Sequence, residues 1–60
     1  MNYKRLLKEW RGLKSLTQNE AAKKMNITTN EYADYESGNK EINTEMAECI
    51  ENVVYFDVFG

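Results

Sequence analysis

The chain contains no proline and no histidine, and it has a single cysteine, Cys49. Without proline, nothing breaks a helix from within. One cysteine excludes an internal disulfide, and the lack of histidine excludes the usual Cys/His zinc sites. A lone reduced thiol suits a cytosolic protein. Only three glycines are present, Gly12, Gly38 and Gly60, so there is no glycine-rich phosphate loop. No apolar run approaches the roughly 18 residues of a membrane span, and the opening Met1-Asn2-Tyr3-Lys4-Arg5 has no signal-peptide core. These absences predict a soluble, cytoplasmic protein with no membrane partner. With no nucleophile–base pair and no carboxylate spacing suited to a metal, they also predict a non-enzyme that needs no cofactor and no metal.

Sixty residues make one domain, 1–60. A domain this small buries only about 60% of the surface its unfolded chain exposes, so its stability is marginal. Disulfide and zinc staples are unavailable, which leaves a well-packed helical core, self-association, or both.

The net charge is −2, with a sequence pI near 5.0, whereas nucleic-acid binders are usually basic. The charge is unevenly distributed, however. Residues 1–24 carry Lys4, Arg5, Lys8, Arg11, Lys14, Lys23 and Lys24 against Glu9 and Glu20, a net +5. Residues 25–40 carry −2, and residues 41–60 carry −5.

Helix punctuation is the strongest local signal. Thr17-Gln18-Asn19-Glu20 is a capping box, in which the threonine hydroxyl accepts from the third helical N–H and the glutamate reaches back. Thr28-Thr29-Asn30-Glu31 repeats it. Two boxes this close predict two short helices, from Thr17 to about Met25 and from Thr28 to about Ser37. Asn26, which tolerates a left-handed conformation, makes the turn between them, and Gly38 stops the second helix.

Leu6, Leu7, Trp10 and Leu13 recur at helical spacing and predict a first helix over 3–14. Ile42, Met46, Cys49, Ile50 and Val53 predict another over about 43–53. The segment from Val53 to Phe59 is rich in β-branched and aromatic residues, which favours a strand by propensity; its position predicts a short fifth helix. The expected core is Leu6, Trp10, Leu13, Leu16, Ala21, Ala22, Met25, Ile27, Tyr32, Tyr35, Met46, Ile50 and Val53, with Cys49 on the apolar face. Val54, Phe56 and Val58 leave more apolar surface than such a core hides. They predict a homodimer interface or, alternatively, closure of the domain's own core.

The run from Leu16 to Gly38, LTQNEAAKKMNITTNEYADYESG, resembles the Xre (Cro/CI-type) helix-turn-helix family without a gap. The resemblance rests on Leu16-Thr17-Gln18, on Glu20-Ala21-Ala22, on Met25-Asn26-Ile27-Thr28 and on the closing Tyr35-Glu36-Ser37-Gly38. It implies an all-α, compact four- to five-helix, lambda-repressor-like domain that regulates transcription by binding a double-stranded DNA operator. In such domains the second helix of the motif enters the major groove with its N-terminal residues at base edges. That assigns base reading to Thr28, Thr29, Asn30 and Asp34. The resemblance also assigns backbone phosphate to Thr17 and Gln18, and to Ser37, Asn39 and Lys40 in the following loop. Arg11 and Glu36 occupy positions that the family often pairs, which leaves Arg11 able to reach phosphate as well.

The chain departs from the family pattern in three places. Asn26 replaces the usual turn glycine, Glu31 and Asp34 put acids on the groove-facing helix, and the stretch after Asn39 has one basic residue where relatives often have several. Each phosphate contact adds salt-dependent affinity, so these departures predict modest monomer affinity and a need for dimerisation. They also keep open a second function, a protein-binding module that docks another regulator through acids at 31, 34, 41, 45 and 48.

Overall fold

A computed structural model describes residues 2–60. It contains four helices: α1 (Tyr3–Leu13), α2 (Gln18–Lys24), α3 (Thr29–Ser37) and α4 (Thr44–Phe59). Both expected capping boxes form, with Thr17 Oγ1 accepting from the Glu20 N–H at 3.1 Å and Thr28 Oγ1 from the Glu31 N–H at 3.1 Å. Asn2 and Asn43 cap α1 and α4 through their side-chain oxygens.

The first three helices end in the same way. A left-handed residue follows each one: Ser15 at φ 54°, Asn26 at φ 59° and Gly38 at φ 86°. The next N–H then bonds back five residues, Leu16 to Arg11 (2.9 Å), Ile27 to Ala22 (3.0 Å) and Asn39 to Asp34 (2.9 Å). This is the Schellman closure, which satisfies carbonyls orphaned at the helix end. Asn26 and Gly38 were expected in this role. Ser15 was not, because serine has no particular tolerance for the left-handed region.

The predicted fifth helix does not exist as a separate element. Nothing in residues 53–58 can punctuate the backbone, and the inward stripe of Met46, Ile50, Val54 and Val58 keeps helical spacing throughout. Packing overrides β-propensity, and α4 continues as one rod.

The core is built from Leu7, Trp10, Ala21, Ala22, Met25, Tyr32, Tyr35, Ile50 and Val54, with Tyr3, Leu6, Leu16, Ile27, Ile42, Met46, Val53 and Val58 packed against it. Each large apolar side chain here contributes about 1.5–3 kcal/mol through burial. Ala21 and Ala22 present only methyl groups, so α2 and α3 approach closely.

Two core expectations are corrected. Leu13 is 70% exposed, because α1 ends there and the Ser15 turn leads the chain away; Leu7 takes the interior position instead. Cys49 is only half-buried.

Polar ties hold α4 in place. The Tyr3 hydroxyl donates to Glu51 Oε1 (2.6 Å), and the Trp10 indole N–H donates to Asp57 Oδ2 (2.9 Å). Contacts ascend both helices together, so α1 and α4 run side by side in the same sense. Lys24 of α2 reaches the other Asp57 oxygen at 3.1 Å. Hydrogen bonds from Lys24 and then Trp10 hold the Asp57 carboxyl below its usual range. No helix among the described residues is long and apolar enough to cross a membrane.

Candidate nucleic-acid interface

The buried side of α3 fixes its outward side. Tyr32 and Tyr35 are buried, and the Tyr32 hydroxyl donates to the Leu7 carbonyl at 3.3 Å. Burial pushes the Tyr32 phenol well up from its usual range. With the tyrosines inward, Asn30 is exposed, and Thr29, Ala33 and Asp34 are half-buried on the remaining surface.

Each expected base-reading residue has a distinct hydrogen-bonding state. Thr28 is occupied by its cap: its hydroxyl accepts from the Glu31 N–H and donates to Glu31 Oε1 at 3.1 Å. The same carboxylate oxygen accepts from the Thr28 N–H at 3.2 Å. These bonds, led by the backbone one, hold the Glu31 carboxyl below its usual range. The Thr29 hydroxyl donates to Asn19 Oδ1 of α2 at 3.0 Å. The side chains of Asn30 and Asp34 have no hydrogen-bond or ion-pair partner among the described residues.

Phosphate-class candidates lie around this surface. The Thr29–Asn19 bond brings the start of α2, with Thr17 and Gln18, beside the start of α3. Lys40 Nζ stands 3.9 Å from Glu31 Oε2 and 5.5 Å from the Tyr35 ring centroid, which folds the loop of Ser37, Asn39 and Lys40 back along α3. The Asp34 carbonyl anchors that loop, accepting from the N–H groups of Asn39 (2.9 Å) and Lys40 (3.3 Å) and from the Ser37 hydroxyl (3.3 Å).

Arg11 is committed to the fold. Its Nε and Nη2 both meet the Glu36 carboxylate at 2.9 Å, and Nη1 donates to the Leu16 carbonyl at 3.2 Å. Glu36 is buried. Burial pushes its carboxyl up, but the hydrogen bonds from Arg11 outweigh that and hold it below the usual range. The bidentate pair links the end of α3 to α1, and the Leu16 bond ties both to the loop before α2.

Of the residues expected at a dimer face, Val54 is buried in the domain's own core, Val58 packs against that core and Phe56 is 81% exposed. The exposed apolar surface around them consists of Leu13, Tyr55 and Phe59, the last two in ring contact with centroids 5.6 Å apart. Asn19 was missed by sequence reasoning. Its bond to Thr29 spans ten residues and depends on how α2 crosses α3, which no local pattern encodes.

Two consecutive capped helices joined by a left-handed turn, the second anchored by its tyrosines and open along its N-terminal half, define a DNA-binding helix-turn-helix domain of lambda-repressor-like form. A family model described as HTH_3, helix-turn-helix, matches residues 7–53. The chain belongs to this Xre (Cro/CI-type) helix-turn-helix family. No curated protein and no solved structure matches it.

Proposed function

We propose that the protein is a sequence-specific transcriptional regulator that binds an operator as a homodimer, with α3 in the major groove. The observation that carries this reading is the state of α3. Its end and inner face are locked by Glu36, Tyr32 and Tyr35, while the side chains of exposed Asn30 and half-buried Asp34 have no polar partner among the described residues. A rigid helix with unoccupied polar groups on its early turns is what base-edge recognition requires.

In this reading Asn30 bonds an adenine edge in two places, and Thr28, Thr29 and Asp34 contact neighbouring bases. Thr17, Gln18, Ser37, Asn39 and Lys40 take phosphates and set the register without reading sequence. Arg11 adds a phosphate contact through guanidinium edges not directed at Glu36. Dimerisation uses α4, through exposed Phe56 on one flank and, on the other, through Val58 with Val54 beneath it, beside exposed Leu13, Tyr55 and Phe59. A two-fold dimer then reads half-sites about one helical turn apart.

Selection of bound duplexes from a random pool, at low and moderate salt and with solution mass measured alongside, tests the proposal. An enriched, roughly palindromic motif and a dimer mass are expected. On that motif, Asn30→Ala is expected to cost about 1–3 kcal/mol while sparing non-specific binding. No enrichment even in dilute buffer overturns the reading.

One observation favours a second function. Helix α3 has no basic residue, and among the described residues no cation pairs with Asp34. A protein-binding module that docks another regulator fits those facts. It predicts that charge reversal at Glu31, Asp34, Glu41, Glu45 and Glu48 abolishes binding, while changes at Gln18 and Lys40 do not.

A further inference from the structure

We propose that α3 selects base pairs by presenting hydrogen-bond acceptors, and so reads the exocyclic amino groups of cytosine and adenine rather than the acceptor edge of guanine. This inference rests on the DNA-binding reading above and specifies which duplexes satisfy it.

In the major groove guanine offers two acceptors, O6 and N7, whose common partner is a bidentate arginine or lysine. No lysine or arginine occurs between Lys24 and Lys40, so α3 has neither. Its polar groups are biased the other way. The Thr29 hydroxyl proton is directed at Asn19 Oδ1, 3.0 Å away, which leaves only lone pairs facing outward. The Thr28 proton is directed at Glu31 Oε1. The Asp34 carboxylate is an acceptor only, and among the described residues nothing donates to it. Of Thr28, Thr29, Asn30 and Asp34, Asn30 alone keeps free side-chain donors, and its two-sided match is adenine, where N6 donates to it and N7 accepts from it.

Exclusion follows as strongly as attraction. A carboxylate entering the groove opposite guanine O6 or thymine O4 sets acceptor against acceptor, with both groups stripped of water. Opposite cytosine N4 or adenine N6 it gains a charge-assisted bond. Asp34 therefore acts chiefly as a filter that rejects the wrong base, and Asn19 is a positioning residue that keeps Thr29 in its accepting state.

The test begins with the motif that the wild-type protein enriches. N4-methylcytosine and N6-methyladenine are then placed singly at the α3 half-site positions, where the methyl group replaces the amino hydrogen that points into the groove. In parallel, 7-deazaguanine removes the N7 acceptor. Loss of roughly tenfold in affinity is expected for the methylated amino groups, and less than twofold for 7-deazaguanine. Asp34→Asn, which adds donors at a side chain with no hydrogen-bond or ion-pair partner among the described residues, is expected to admit guanine or thymine at one motif position. Asn19→Ala is expected to broaden tolerance at the Thr29 position. The opposite pattern, with 7-deazaguanine damaging and the methyl groups harmless, overturns this proposal and leaves DNA recognition standing. An unchanged motif for Asp34→Asn also overturns it. Absence of any wild-type motif overturns DNA recognition itself.

Discussion

Replacing Arg11 with methionine separates the worth of the Arg11–Glu36 pair from the cost of breaking it. Glu36 is 5% exposed, and both its oxygens meet the guanidinium at 2.9 Å. Removing one member of a fully buried pair costs about 3–5 kcal/mol, because an unpaired charge stays behind. The Arg11 side chain is 30% exposed, so screening lowers the figure to about 2–4 kcal/mol. A domain of this size has about 3–9 kcal/mol in total, and 1 kcal/mol moves its Tm by about 4–8 °C. Arg11→Met is therefore expected to lower Tm by roughly 8–32 °C. The double variant Arg11→Met/Glu36→Leu removes the stranded charge and is expected to regain most of the loss, keeping a deficit of about 1 kcal/mol for the Leu16 carbonyl.

The pH dependence gives an independent check. In the wild type the Glu36 carboxyl is held low, so its contribution is present above its unfolded pKa of about 4.3 and is lost as pH falls through the lower folded value. Without Arg11, burial raises the folded pKa above the unfolded one, and acidification relieves the variant by protonating the group. The gap between wild type and Arg11→Met should narrow from about pH 7 to about pH 5 in urea titrations followed by far-UV circular dichroism. A double variant no more stable than the single one, or a gap that does not change with pH, refutes the reasoning.

Three further outcomes are expected. Gly38→Ala forces a Cβ into φ 86°, 3.2 Å from Lys4 Cδ; the lysine chain yields, and the left-handed backbone costs about 1–2 kcal/mol, visible as a lower urea midpoint at unchanged m. Ser15→Gly relieves the same kind of strain at φ 54°, offset by about 0.5–1 kcal/mol of chain entropy, and should raise stability by about 0.5 kcal/mol; a lower Tm would contradict the left-handed assignment. Glu20 and Glu31 are held below the usual carboxylate range mainly by the Thr17 and Thr28 backbone N–H groups. Their contribution stands above about pH 4.3 and fades as pH drops through the folded values. Glu20→Gln and Glu31→Gln should therefore be less stable than wild type at neutral pH, by a margin that shrinks as the pH falls through the folded values.

What could be read in advance was local chemistry. The two threonine–glutamate boxes, the Asn26 turn and the Gly38 stop depend on residues within one helical turn of each other, and all four formed. The Arg11–Glu36 pair was reachable only through the family resemblance, since nothing along the chain relates positions 25 residues apart. Leu6, Leu7 and Leu13 share one periodic stripe, and only the direction taken after Ser15 decides which of them is interior. The tail misled through propensity: Val53, Val54 and Val58 favour strands, yet their spacing suits a helix lying on α1. Asp57 is an acid in an apolar run, and nothing local to it announces a partner. The signal that points to its role is Trp10, because a buried indole N–H needs an acceptor. The site divides in the same way. Asn30 and Asp34 are open because nothing nearby in sequence claims them, while the hydroxyl of Thr29 is directed by a helix crossing.

Trp10 is the only tryptophan in the chain, 2% exposed, and its indole nitrogen sits at the junction of α1, α2 and α4 through Asp57 and Lys24. The domain thus carries one indole, which can be excited apart from its four tyrosines. Its emission is expected to lie to the blue while the junction is closed and to move to the red when α4 lifts away. Following that optical trace alongside the total helical signal tracks opening of the core at this junction, without attaching any label.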